Sequence, residues 1–135
     1  MRRKWYISVL LLVGVLVAAI WLQSRQVNEF ATAMGCTDSL VSRLDAPDGR
    51  HVAFVFRREC GATAPDSTQV NVQPAGTTLN GKDYKAAVVV DGAVPLNLRW
   101  DSANQLVVIG ITSQRLYRQE RVASDGIKIG YVAGE

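Results

Sequence analysis

The sequence has few of the side chains with which proteins bind metals. Its 135 residues include two cysteines, Cys36 and Cys60, and a single histidine, His51. No C-x₂-C pair, no H-x₃-H pair and no acidic spacing typical of an EF-hand is present. A zinc site usually takes about four Cys, His or carboxylate ligands. We therefore predict neither a bound metal nor a cofactor.

The sequence also lacks a recognisable catalytic constellation. A catalytic cysteine needs a base within reach, and His51 could only serve Cys60 if Cys60 remained reduced. In an exported protein Cys60 would instead oxidise with Cys36. Ser39 and Ser67 have no catalytic motif around them, and no glycine-rich phosphate loop is present. These absences predict that the protein is not an enzyme.

No stripe of basic residues follows the N-terminal segment. Four of the 15 basic and one of the 12 acidic residues precede Cys36, so the remaining chain holds 11 of each sign. Nucleic-acid binding depends on many contacts between phosphates and clustered lysine or arginine side chains. We therefore expect no nucleic-acid partner, and the net charge of +3 comes from the N-terminal segment.

A long apolar run dominates the first part of the chain. Residues 5–22 (WYISVLLLVGVLVAAIWL) carry no charge, and a helix of that length spans roughly 27 Å, close to the hydrocarbon core of a bilayer. Tryptophan and tyrosine stand at its ends, where they suit the membrane interface. Because residues 2–4 are all basic and only Arg25 follows closely, we predict a single-pass inner-membrane anchor with residues 1–4 in the cytoplasm. The remainder would be extracytoplasmic, which means periplasmic in a Gram-negative cell.

Two other interpretations of the N-terminal segment stay open. A cleaved signal peptide begins in the same way, and Ala31-Thr32-Ala33 has the small-x-small pattern of a cleavage site, although it lies about ten residues beyond the apolar run. The stretch Ala33-Met34-Gly35-Cys36 resembles a lipoprotein box without its usual aliphatic residue. An uncleaved anchor, followed by a stalk over residues 23–35, explains the long apolar run best.

From residue 36 onward, short runs of β-branched and aromatic residues alternate with turn residues. They recur about every 10–16 residues, which predicts an all-β domain over residues 36–135, built as an antiparallel meander or sandwich. One of these runs, Arg115–Arg121, also fits a helix. The predicted strands are 39–44, 51–57, 68–73, 85–91, 94–100, 105–111, 115–121 and 127–132.

Turn residues predict two hairpins. Pro47-Asp48-Gly49 would join the first two strands, and Asp91-Gly92 would join the fourth and fifth. Along the second strand, the larger side chains alternate with smaller ones, so we expect the larger set to face the core. The predicted core is Val52, Phe54, Phe56, Val70, Val72, Val88, Val90, Leu96, Leu98, Trp100, Leu106, Val108 and Ile127.

The positions of the cysteines predict a disulfide. Cys36 and Cys60 lie 12 residues before and after Asp48, the centre of the first turn, so they should face each other at the open end of the hairpin. Two cysteines beyond a membrane anchor make one even pair for an oxidising compartment. Closing this loop should stabilise the domain by roughly 3 kcal/mol.

The region around this hairpin resembles a known protein family. Residues 36–72 carry a pattern of the form C…PDG…F.R.CGAT…TQV. This pattern is similar to that of small, uncharacterised bacterial proteins that are exported or membrane-anchored. The resemblance implies no activity, but it supports the pairing of Cys36 with Cys60 and a strand after the CGAT segment.

The stretch after Cys60 is the candidate recognition site. Thr63, Asp66, Ser67 and Gln69 would lie on a loop held by the disulfide, either bonding their own backbone or binding a partner. We expect a non-enzymatic interaction module of the bacterial cell envelope that binds a protein or a wall component. The alternative is a periplasmic immunity-type protein that binds and neutralises a toxin.

The anchor helix also contains a candidate contact site for a second helix. Gly14 and Ala18 form a small-xxx-small pair, which allows two helices to approach closely. Besides the lipid bilayer around residues 5–22, a second copy of this helix is therefore a candidate partner.

Overall fold

The computed structural model describes residues 1–33 and 35–134, without the side chains of residues 2, 24–33 and 63. It divides the chain into two units, Met1–Gly35 and Cys36–Glu135. The first contains one helix, α1 (Arg2–Ala33). The described part of the second contains eight strands: β1 (Thr37–Asp45), β2 (His51–Glu59), β3 (Ser67–Pro74), β4 (Val88–Asp91), β5 (Asn97–Ser102), β6 (Gln105–Ile109), β7 (Leu116–Gln119) and β8 (Lys128–Val132).

Helix α1 contains a segment that is long and apolar enough to cross a membrane. Residues Arg3–Gln23 have a mean hydropathy of 2.5, and none of this segment is buried within the protein. The helix continues to Ala33, so residues 23–33 of the predicted stalk extend the anchor as a helix. Met34 lies outside the described residues.

The predicted fold class, a helix followed by a small antiparallel β-domain, is confirmed. A large sheet has the strand order β1-β2-β3-β4-β7, with antiparallel pairing throughout. A small sheet has the order β5-β6-β8. All eight predicted strands are present, with shifted ends, and the ambiguous run at residues 115–121 forms strand β7. Within the small sheet β6 and β8 run parallel, which the antiparallel prediction did not include.

The predicted hairpin at Asp91-Gly92 is wrong, because β4 and β5 belong to different sheets. A contact from a distant strand directs the chain away from a hairpin. The Thr68 hydroxyl donates to the Gly92 carbonyl (2.7 Å) and accepts from the Val94 N–H (2.9 Å). These two bonds fasten the β4–β5 connection to β3, where the chain leaves one sheet for the other.

The two sheets share one apolar core. Ala53, Val55, Val70 and Val88 of the large sheet pack in the same cluster as Leu106 of the small sheet. All members of the predicted core are buried except Leu98 and Trp100, which are partly buried against the same cluster. The Trp100 indole donates to the Leu44 carbonyl (3.2 Å), so β5 is also tied to β1.

The larger side chains of β2 are buried as predicted, but they do not face the other sheet. Ala53 and Val55 face the small sheet, whereas the larger Val52, Phe54 and Phe56 form a second cluster on the opposite face. That face is covered by the connection between β3 and β4, residues 75–87, which we call the strap. Both faces of β2 are therefore buried, and alternation in size did not indicate which face met the other sheet.

Candidate recognition site

The predicted disulfide between Cys36 and Cys60 is confirmed, with Cα atoms 4.0 Å apart. It closes the open end of the β1–β2 hairpin, immediately beyond the Thr37–Glu59 pair. The Cys36 side of this bridge is exposed, and Cys60 is partly buried.

A β-bulge at Val41 brings the cysteines into register. Near the turn Asp45 pairs with Val52, a register that would place Cys36 opposite Gly61. The register shifts by one between Leu40 and Ser42. Because one residue of slip moves a side chain to the other face of a sheet, the extra residue is what allows the bridge to form.

An ion pair lies two residues inside the disulfide on both strands. The Arg58 guanidinium donates from Nε to Asp38 Oδ1 and from Nη2 to Asp38 Oδ2, both at 2.7 Å. These hydrogen bonds raise the pKa of Arg58; partial burial acts against this, and the Asp38 charge adds to it. The side chains are only 24% and 18% exposed, so this bidentate pair is shielded better than a surface ion pair.

The Arg58–Asp38 pair holds the strap at Gly81. Arg58 Nη2 also donates to the Gly81 carbonyl (3.0 Å), and the guanidinium lies 5.7 Å from the centre of the Phe56 ring. A Cβ atom at position 81 would overlap Asp38 Oδ2 and Arg58 Nη2. A larger residue at this position would therefore displace the Asp38 carboxylate or the Arg58 guanidinium from its present place.

A row of buried amides on β3 holds the rest of the strap. Asn71 Nδ2 donates to the Tyr84 carbonyl (3.2 Å) and to the Asn80 carbonyl (3.4 Å). In the amide orientation that satisfies the hydrogen-bond network, Gln73 donates to the Thr78 carbonyl (2.9 Å) and accepts from the Asn80 N–H (3.1 Å). Both side chains are fully buried, so these bonds satisfy strap backbone groups that water does not reach.

The structure separates the four predicted recognition residues. Ser67 and Gln69 do not lie on a loop: both belong to β3 and are buried, and Gln69 Nε2 donates to Ser67 Oγ (2.9 Å). Thr63 ends a short 3₁₀ turn (Gly61–Thr63), and its side chain lies outside the described residues. Asp66 is accessible, with a side chain 45% exposed.

Asp66 belongs to a partly exposed charged cluster. Arg57 Nη2 lies 3.4 Å from Asp66 Oδ2 and 3.5 Å from Glu59 Oε1. Arg57 pairs across the hairpin with Ser39, the neighbour of Leu40. Charged side chains therefore flank the end of β1 that follows the disulfide.

Two large apolar side chains are exposed on the same strand. Leu40 is 55% and Val41 52% exposed, and β1 is an edge strand with β2 as its neighbour. We use the term edge patch for Leu40, Val41, Arg57, Glu59 and Asp66. It combines two exposed apolar side chains of the edge strand with charged side chains from neighbouring segments, and both kinds of residue contribute to protein interfaces.

The residues considered for catalysis are not brought together. His51 starts β2 and Cys60 follows its end, so roughly 27–30 Å of strand separates them. The His51 Nε2 atom lies 3.4 Å from Asp125 Oδ2, at the opposite end of the hairpin from the disulfide. Within residues 1–33 and 35–134, no group of three or more His, Cys, Asp or Glu side chains is placed to hold a metal ion.

A polar cleft of about 370 Å³ lies at one end of the small sheet. Gln114 Oε1 accepts from the Thr112 N–H (2.7 Å) and hydroxyl (3.3 Å). None of the residues that line it is titratable, so the cleft supplies no acid or base. These residues are Pro95, Asn97, Ile109, Gly110, Thr112, Gln114 and Gly134.

On the anchor, Gly14 and Ala18 lie in a shallow apolar groove of about 420 Å³ with Val17, Trp21 and Leu22. A Cβ atom at position 14 would meet no other atom within 4 Å. The small side chains thus leave space along one side of the helix, as the small-xxx-small pattern predicts.

The sequence interpretation missed the strap and the amides beneath it. In the sequence, the buried amides are visible only as the alternation of Gln69, Asn71 and Gln73 with valines in β3. The same alternation is typical of a strand with one solvated face. The strap itself contains no regular strand or helix in the described structure, so no periodic pattern identifies it.

Comparisons with models of known protein families, with curated proteins and with solved structures find no match to this chain.

Proposed function

We propose that this chain is a membrane-anchored, non-enzymatic interaction module of the bacterial cell envelope, which binds a protein partner through the edge patch. The observation that carries the proposal is the exposure of two adjacent apolar side chains, Leu40 and Val41, on an edge strand. Apolar side chains that are exposed together on a protein surface are a feature of interaction sites.

The anchor and the disulfide support an extracytoplasmic position. Residues Arg3–Gln23 are long and apolar enough to span a bilayer, and Arg3 and Lys4 favour a cytoplasmic N-terminus. The Cys36–Cys60 bridge is typical of an oxidising compartment. We therefore propose insertion in the inner membrane with the β-domain outside the cytoplasm.

The form of the β1 edge favours contacts through side chains. The bulge at Val41 interrupts regular pairing, and Arg43 and Asp45 form an exposed ion pair further along the strand (2.8 Å). Bulges and charges are features that protect edge strands against added strands. The partner would thus pack on Leu40 and Val41, while Arg57 and Asp66 select complementary charges.

Site-specific photocrosslinking in intact cells tests the proposed surface. A photoreactive amino acid at Val41 should capture one envelope protein, identified by mass spectrometry. The matched control is Val122, which is also an exposed valine (55% against 52%) but lies outside the edge patch. An adduct at 41 and none at 122 is the expected result.

Several outcomes would change the proposal. Equal adducts at positions 41 and 122, or none at either, would contradict a specific edge patch. Capture of a single toxin-like protein would favour the immunity role. Capture of a second copy of the chain would favour self-association over a different protein partner. The Gly14–Ala18 groove on the anchor offers a second contact for such a pair.

Protease protection tests the proposed topology. In spheroplasts, added protease should digest the β-domain and leave a short fragment that contains α1, whereas a tag at residue 1 should stay protected. Lysis with detergent provides the control, because the tag must then be digested. Full protection of the β-domain before lysis would contradict an extracytoplasmic position.

A further inference from the structure

We propose that the Cys36–Cys60 disulfide controls the strap: when the bridge is reduced, residues 77–86 of the strap detach locally from the large sheet while the remainder of the domain stays folded. The chain of contacts runs from the disulfide to Asp38, from Asp38 to Arg58, and from Arg58 to the strap. Each step depends on the one before.

The first step couples the disulfide to Asp38. Asp38 lies near the start of β1, an edge strand, and only Thr37 separates it from the bridge. The ends of edge strands open at low free energy. The bridge holds Cys36 opposite Cys60 and so keeps Asp38 opposite Arg58. Without it, the first residues of β1 can fray.

The second step couples Asp38 to the strap. The carboxylate fixes the Arg58 guanidinium through two bonds of 2.7 Å, and the same Nη2 atom that reaches Asp38 Oδ2 donates to the Gly81 carbonyl. Without the Asp38 carboxylate, the Arg58 guanidinium keeps only its hydrogen bond to the Gly81 carbonyl of the strap. A long, flexible side chain then regains rotamer freedom, and the Gly81 contact weakens.

The third step is local opening of the strap. Besides the Arg58 contact, Asn71 and Gln73 of β3 bond the middle of the strap. At its end, the Ala87 N–H donates to the Val70 carbonyl (2.8 Å) and Arg118 Nη1 donates to the Ala86 carbonyl (3.2 Å). On the strap face its apolar contacts are those of Leu79 and Ala86 with Val52, Phe54 and Phe56, whereas Ala87 packs in the main core. Between its fixed ends, the strap has no regular secondary structure and two apolar anchors, Leu79 and Ala86, so this middle part belongs to the low-stability part of the domain. Opening would expose the Phe54–Phe56 face and the buried amides.

The chemical step is ordinary thiol–disulfide exchange with a dithiol. A dithiol thiolate attacks the sulfur of Cys36, the more exposed residue of the bridge. The S–S bond breaks, and the Cys60 thiolate leaves and takes a proton. The second dithiol sulfur then attacks the mixed disulfide and releases Cys36. Two electrons and two protons pass to the protein, and the dithiol becomes a cyclic disulfide.

Hydrogen exchange of the full-length protein in detergent micelles, with and without dithiothreitol, tests the proposal. Peptides within residues 77–86 should exchange roughly tenfold faster or more after reduction, because loss of one charge-assisted contact changes an opening equilibrium by about that factor. Short exchange times are used, so that local opening and not global unfolding is observed. The connection that precedes β8, residues 123–127, provides the internal reference.

Substitution of Asp38 separates the proposed link from general destabilisation. In the oxidised protein, Asp38→Ala should reproduce the faster strap exchange although the bridge is intact, and Asp38→Asn should have a smaller effect. The matched control is Asp101→Ala, which removes the 2.7 Å bond to Arg99 in the small sheet and should leave the strap unchanged. Reduction of the Asp38→Ala variant should then add little at residues 77–86.

Two results would overturn the proposal. If reduction accelerates the strap and the reference connection by the same factor, the bridge stabilises the domain generally and does not control the strap. If reduction accelerates strap exchange in Asp38→Ala as much as in the unmodified chain, the effect does not pass through the Arg58–Asp38 pair.

Discussion

Replacement of Phe54 by alanine is expected to lower the free energy of unfolding of the β-domain by about 3–5 kcal/mol. Phe54 is 2% exposed and belongs to the cluster between β2 and the strap. Truncation would leave a cavity lined by Val52, Phe56 and Ala86. The strap could fill this cavity only if the hydrogen bonds between its backbone and the side chains of β3 broke. Urea unfolding of the full chain in micelles, followed by near-UV circular dichroism, measures the loss.

Val122→Ala is the matched control for this substitution. Val122 is 55% exposed, so its truncation should change the free energy of unfolding by less than about 0.5 kcal/mol. A Phe54→Ala variant as stable as this control would show that the strap face contributes little to stability. That result would also contradict the interpretation that the strap stabilises the domain, in both the oxidised and the reduced protein.

The second core explains why the sequence predicted the buried residues of β2 better than their surroundings. Phe54 and Phe56 are large and apolar, so their burial follows from composition alone. What covers them does not, because the cover is an irregular segment and half of the face beneath it is polar. Asn71 and Gln73 are buried because the strap backbone offers them partners, and that backbone is placed by Arg58 through Gly81.

Local signals likewise predicted the strands but not how they join. Asp91-Gly92 has the composition of a tight hairpin, and Gly92 does adopt a positive φ of 77°. The chain nevertheless crosses to the other sheet because Thr68, more than twenty positions earlier, bonds both Gly92 and Val94. The parallel pairing of β6 with β8 is also non-local, since an irregular connection and β7 lie between them.

The disulfide was predictable because its evidence is local, although the geometry used to predict it was incomplete. Equal distances from Asp48 assumed a regular hairpin centred on that residue. The turn is in fact centred between Asp48 and Gly49, as the Asp45–Val52 pair shows, and the bulge at Val41 restores the register by one residue. Two departures from the assumed geometry cancel, and Cys36 meets Cys60.

Replacement of both cysteines by serine should therefore lower the free energy of unfolding by about 3 kcal/mol. Because a globular domain has a total stability of roughly 5–15 kcal/mol, the loss is a large share. It arises mainly in the unfolded chain, which the bridge between Cys36 and Cys60 restricts. The dependence of unfolding on urea should also steepen, because an unfolded chain without the crosslink exposes more surface.

Reduced and alkylated wild-type protein is the control for the Cys36→Ser/Cys60→Ser variant, since both lack the crosslink and should unfold at similar urea concentrations. The outcome also depends on whether the bridge acts on the unfolded chain or on the folded domain.

An unchanged urea dependence, with a loss confined to the strap, would mean that the bridge stabilises only local native contacts. A loss with a steeper dependence, together with faster strap exchange, would mean that it both restricts the unfolded chain and keeps Asp38 on Arg58. Since the first effect depends on the length of the closed loop and the second on one carboxylate, Asp38→Ala in the oxidised protein should release the strap and leave the urea dependence unchanged.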